Sequence, residues 1–171
     1  DLTKITEPMD NNAHFLVTTE FYLFYVNLMD RVAFTELSEQ RRSALMDNVA
    51  DLGLNPLIKS LFPGAPQKWR DGVVADELEN YNITQQGYGL ATVIFPDTQA
   101  DLYSELYSDS PTSMASLLTR RINHGLEMPL GEHRKGNACD AELLSGLVLK
   151  AVKEQIPAMD LQAKLRRLGR L

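Results

Sequence analysis

The chain has 171 residues, 44% of them hydrophobic, and 17 Lys and Arg against 23 Asp and Glu give a net charge of −6. That length suits one domain, able to bury a core without a disulfide or metal staple. The acidic balance excludes a general nucleic-acid binder, which presents a basic face, and the single Cys139 excludes an internal disulfide, so a reducing compartment suits it and the cytoplasm is the default location.

Residues 1–11 are polar, contain Pro8 and read as a flexible lead-in with no targeting signal. The stretch that follows, about 12–33, is the most apolar of the chain and has neither Gly nor Pro. It predicts a long helix, capped by Asn11 or Asn12, with apolar residues around nearly its whole circumference. Such a helix belongs in a core, an interface or a membrane. Membrane insertion is not expected, because Asn27, Asp30 and Arg31 follow the apolar run Phe21 to Val26 at once, and a span needs about 20 mostly apolar residues. At ~100° per residue, Glu20, Asn27 and Arg31 fall within ~40° of one another. Two readings stay open: the stripe reaches water, or it lies inside the bundle with Glu20 and Arg31 paired to other helices.

Ser38 caps a second helix that Gly53 closes, with Leu45, Val49 and Leu52 inward. The short link from Phe34 makes the first two helices an antiparallel hairpin. Asn55-Pro56 opens a separate short helix, and residues 62–66 form a turn. From Gln67 to Phe95 apolar residues recur at helical spacing, and a helix is preferred; a short strand over 88–95 is the minority reading. On the helical reading, Gly87 and Gly89 admit a close neighbour, and Trp69 is a core residue.

Asp97 caps the next helix, with Leu102, Tyr103 and Leu106 inward. Ser110-Pro111 opens another, carrying Met114, Leu117, Leu118 and Ile122 and ended by Gly125. Arg120, Arg121 and His124 sit in its last turn, complementing the helix dipole. A loop over 125–137, a helix over about 138–156 and a basic tail with Leu161, Leu165 and Leu168 on one side complete the chain.

Tested motifs fail. Residues 131–137 have the glycine spacing of a phosphate loop but continue with Asn137 and Ala138 instead of Lys and Ser or Thr; Gly87 and Gly89 lack a third fingerprint glycine, Thr92 standing there. No Glu is followed three residues later by His, so a helical carboxylate-bridged metal pair is not expected. His124, Glu127, Glu132, His133 and Cys139 form a loop cluster that allows an activated thiol or a soft-metal site. The plainer account is dipole compensation, solvated loop charge and a thiol packed as a small apolar group.

The expectation is an all-α single domain over 1–171, about six or seven helices in one compact bundle around the apolar helix. Its expected role is a non-catalytic interaction module, self-associating as a homodimer or binding another protein, with no cofactor or metal. One rival is a small-ligand binder or enzyme using Glu20, Asn27 and Arg31, with Arg31 anchoring a small acidic ligand. A weaker one is peripheral membrane attachment through the basic C-terminal helix.

Overall fold

The computed structural model describes residues 11–106, 108–109, 111–127 and 160–169, with the isolated positions 146, 150, 153 and 154. Among these residues the protein is all-α, with six helices: α1 Asn11–Glu36, α2 Glu39–Leu61, α3 Gln67–Leu90, α4 Gln99–Leu106, α5 Met114–Glu127 and α6 Leu161–Gly169. The lead-in 1–10, most of the loop after residue 127 and most of the expected helix 138–156 lie outside the described residues. None of the described helices is long and apolar enough to cross a membrane.

Contacts divide the chain into two compact units. Unit one holds residues 1–24 and 90–159; unit two holds residues 25–89 and 160–171. The single helix α1 contributes its first half to unit one and its second half to unit two. It is as apolar in the fold as in the sequence: Val17, Phe21, Leu23, Phe24, Val26, Leu28 and Ala33 are all buried. Burying each large side chain contributes roughly 1.5–3 kcal/mol.

In unit one, Leu102, Leu106, Met114, Leu118 and Ile122 supply buried apolar residues from α4 and α5. The N-terminus of α4 is closed by Thr98, not Asp97. The Asp101 N–H donates to Thr98 Oγ1 at 3.1 Å while the Thr98 N–H donates to Asp101 Oδ2 at 3.2 Å, a reciprocal cap. Helix α5 starts three residues later than expected, at Met114, because Ser113 rather than Ser110 provides its cap: the Ser116 N–H donates to Ser113 Oγ at 3.2 Å. Its first two free N–H groups are also met, Met114 N donating to the Val93 carbonyl and Ala115 N to the Ile94 carbonyl, each at 3.0 Å. These bonds explain residues 91–96. The segment leaves the helix after Leu90 to serve the start of α5, and forms an isolated parallel bridge, Val93 to Ser113, rather than a strand.

Gly125 does not end α5, which continues to Glu127. Its missing side chain has another use: Leu16 of α1 fills the space, and a Cβ there would collide with Leu16 Cδ1 and press on Cδ2 at 3.0 Å and Cγ at 3.1 Å.

In unit two, α1 and α2 form the expected hairpin across Leu37 and Ser38. The short helix expected after Asn55 is instead the end of α2, which runs through Gly53 and Pro56 to Leu61. The buried face of α2 is therefore Met46, Leu54 and Ile58, at four- and eight-residue steps, and Leu52 points to solvent. In α3 the buried face is Val74, Glu77, Tyr81, Thr84 and Tyr88; the spacing marks the last four, and gives Val73, which is only part-buried, where Val74 faces inward. Gly87 and Gly89 have open space where a Cβ would stand, so no neighbour needs them. Trp69 is 45% exposed, its ring edge-on to Phe62 at 5.1 Å, and is not a core residue. Helix α6 is entered through Asp160 at φ 45°, a left-handed turn that Asp tolerates better than most residues, and it buries Leu165.

Candidate functional site

The polar residues of α1 are turned inward. Glu20 is 9% exposed and Asn27 5% exposed, so at these positions the stripe does not reach water. Each has found a partner within its own unit. In unit one, Arg121 of α5 grips Glu20 with both arms, Nε to Oε2 at 2.6 Å and Nη2 to Oε1 at 2.8 Å. Sequence position suggests dipole compensation for Arg121; the structure gives it a carboxylate, and His124 alone supplies the basic side chain of the last turn.

In unit two, Asn27 Nδ2 donates to Thr84 Oγ1 at 3.3 Å, and Thr84 in turn donates to the Tyr81 carbonyl at 2.9 Å. Asp30, also buried, takes the guanidinium of Arg42 bidentately at 2.7 Å on both oxygens. That hydrogen bond is the main reason the Arg42 pKa lies above its ordinary value. Arg31 is half-buried on the same stretch of α1. Of the loop cluster, His124 is exposed on α5 and Glu127 ends that helix, while Glu132, His133 and Cys139 lie outside the described residues. Among the described residues no group of three or more His, Cys, Asp or Glu is placed to hold a metal ion.

Two surface features were not foreseen. A groove of about 510 Å³ in unit one is lined by Val93, Phe95, Pro96, Asp97, Asp101, Ser104 and Glu105. Glu105 forms part of its wall but is chemically committed. Burial pushes its pKa up, yet hydrogen bonds from the Ser113, Ser116 and Thr112 hydroxyls and the Ser113 N–H outweigh that and hold it below the ordinary carboxylate range.

The other feature is a face of unit two where α6 meets the α1–α2 hairpin. Glu36 accepts from Arg166 Nε at 2.9 Å and from Gln162 Nε2 at 2.7 Å, and Arg41 Nη1 donates to the Leu168 carbonyl at 3.3 Å. The Arg42 guanidinium lies 5.2 Å from the ring centroid of Phe34. Around these contacts Phe34 is 69% exposed and Leu168 47% exposed, with Lys164 and Arg167 open to solvent beside them. The basic and leucine content of α6 is visible in the sequence; the signal missed is that the short link at Leu37 and Ser38 brings Phe34 and Arg41 to the same place.

Comparison with known proteins adds no relative: no family model, no curated protein and no solved structure matches the chain.

Proposed function

We propose that this chain is a non-catalytic helical interaction module that binds protein through the apolar side chains left on the surface of unit two. The observation that carries this reading is the exposure of Phe34, Leu168, Trp69 and Ile83 on a unit that buries Leu54, Ile58 and Leu165 nearly completely. Scattered surface leucines are ordinary, but aromatic and large aliphatic side chains set among arginines are what protein interfaces use as anchors.

The polar stripe supports the small-ligand reading less well. A ligand at Glu20 would have to displace the Arg121 fork, and one at Asn27 would have to break its bond to Thr84. Peripheral attachment to lipid through α6 meets a similar difficulty. An interfacial helix lays its apolar side into the bilayer, and here Leu165 of that side is 2% exposed, spent on the helix's own unit.

A photo-crosslinking amino acid placed at Phe34 or at Ile83 tests the reading in an extract of the source cells. Protein adducts are expected from both positions and not from Lys59, an exposed polar site of α2. Adduct-free chain from all three positions overturns it.

A further inference from the structure

We propose that the partner for the basic face of unit two is the outward stripe of α3 in a second copy of the same chain. This rests on the interaction-module reading above and names both surfaces that meet.

Along α3, Trp69, Asp76, Glu79, Ile83 and Gln86 recur at three-, four- and seven-residue steps, and all five are exposed. Those steps place them on one side of the helix, opposite the buried Val74, Glu77, Tyr81, Thr84 and Tyr88. The stripe is apolar at Trp69 and Ile83, with two carboxylates between them. The face around α6 has the converse make-up: Phe34 and Leu168 are apolar and exposed, and Lys164, Arg167 and Arg41 are cationic and exposed.

Charge decides which surfaces pair. Stripe against stripe sets Asp76 and Glu79 of one copy against those of the other, and α6 against α6 sets Lys164 and Arg167 against themselves; both pairings are repulsive. Stripe against basic face joins opposite charges and leaves an apolar anchor on each side to exclude water. Each copy carries both surfaces. The contact either closes reciprocally as a two-fold dimer, each stripe on the other copy's basic face, or runs head to tail into a ring or an open chain.

Sedimentation of the purified full chain is the test. The wild-type chain is expected to associate as its concentration rises, with roughly micromolar affinity, as a small interface with few anchors gives. Raising salt from about 0.1 M to 1 M shortens the screening length from about 10 Å to 3 Å and is expected to weaken association at least tenfold.

Asp76→Lys with Glu79→Lys destroys the stripe and spares the basic face; Lys164→Glu with Arg167→Glu does the reverse. Each double variant alone is expected to be monomeric with unchanged helical circular dichroism. Mixed together, the intact basic face of one variant meets the intact stripe of the other, and the two reversed surfaces are again opposite in charge, so association is expected to return as alternating copies. Ile83→Ser, which keeps every charge, is expected to weaken wild-type association as well. A wild-type chain monomeric throughout, charge variants that associate as the wild type does, or a mixture that stays monomeric each overturns the proposal. Crosslinks from Phe34 to a different protein, with the purified chain monomeric, remove the self-pairing and keep the module reading.

Discussion

Arg121 and Glu20 stand 101 residues apart in the chain and meet through two short hydrogen bonds, with 30% of the arginine side chain and 11% of the carboxylate side chain exposed. This ion pair ties the first half of α1 to α5 within unit one. Removing the cation leaves a carboxylate largely cut off from water, which costs about 3 kcal/mol for a buried pair and less as exposure rises. Arg121→Met is therefore expected to lower stability by roughly 2 kcal/mol in urea unfolding. Glu20→Leu combined with Arg121→Met is expected to recover more than half of that loss, because no unpaired charge remains. A double variant weaker than the single one sinks this account.

Glu105 ties α4 to the start of α5. Thr112 Oγ1 and Ser113 Oγ donate to its two oxygens at 2.6 Å each, and the Ser113 N–H adds a third bond at 3.1 Å. Its folded pKa is lowered, so the folded state binds this proton less readily than the unfolded one. The linked stability is present above the ordinary carboxyl pKa and is lost as pH falls through the lowered value. The midpoint of thermal unfolding is therefore expected to drop between pH 5 and acid more steeply in the wild type than in Glu105→Gln. At neutral pH that variant is expected to be about 1–2 kcal/mol less stable, having exchanged a carboxylate acceptor for an amide. Parallel acid profiles for the two proteins would refute the role given to Glu105.

The elements legible in the sequence are those whose signal is periodic. The apolar coat of residues 12–33, the inward Glu77, Tyr81, Thr84 and Tyr88 of α3 and the Met114–Leu118–Ile122 face of α5 all follow from spacing alone. Helix ends were less legible, because Gly53, Pro56 and Gly125 are ordinary stop signals that packing overrides here. Met46, Leu54 and Ile58 bury one continuous face across the first two of these, so the helix persists. Thr98 and Asp101 form a cap box that the sequence does carry, obscured by Asp97 beside it. The partners of the polar stripe divide in the same way. Arg42 lies 12 residues from Asp30 across a short hairpin, within reach of inspection, whereas no spacing rule links Glu20 to Arg121. The exposed Trp69 misleads for a related reason: composition favours burial of Trp, and only the turn at 62–66 shows its ring resting on Phe62 at the surface.

Gly125 gives a test in which the sign of an effect reverses. Replacing a helical glycine by alanine ordinarily stabilises by about 1 kcal/mol. Here the added Cβ meets both methyl groups of Leu16, and Leu16 Cγ lies 3.1 Å away, so turning one methyl aside does not clear the space. Gly125→Ala is expected to destabilise by roughly 1–3 kcal/mol, as overpacking does. In a Leu16→Ala background the clash is gone, and the same substitution is expected to stabilise. Thermal or urea unfolding of the four proteins reads the two signs, and a stabilising effect in both backgrounds would show that Leu16 yields freely.

Pro56 is exposed inside α2, where a proline withholds one backbone donor and crowds the preceding turn. A helix interior carries that at a cost of up to about 3 kcal/mol relative to alanine. The buried Leu54 and Ile58 on either side hold the chain helical despite it. Pro56→Ala is therefore expected to raise stability by roughly 1–2 kcal/mol, with part of the gain returned because the unfolded chain becomes freer. Protection of the Leu57 and Ile58 amides in hydrogen exchange is expected to rise with it. Were residues 54–61 a separate short helix beginning at Pro56, the proline would be favourable at its first position, and the substitution would lower stability instead.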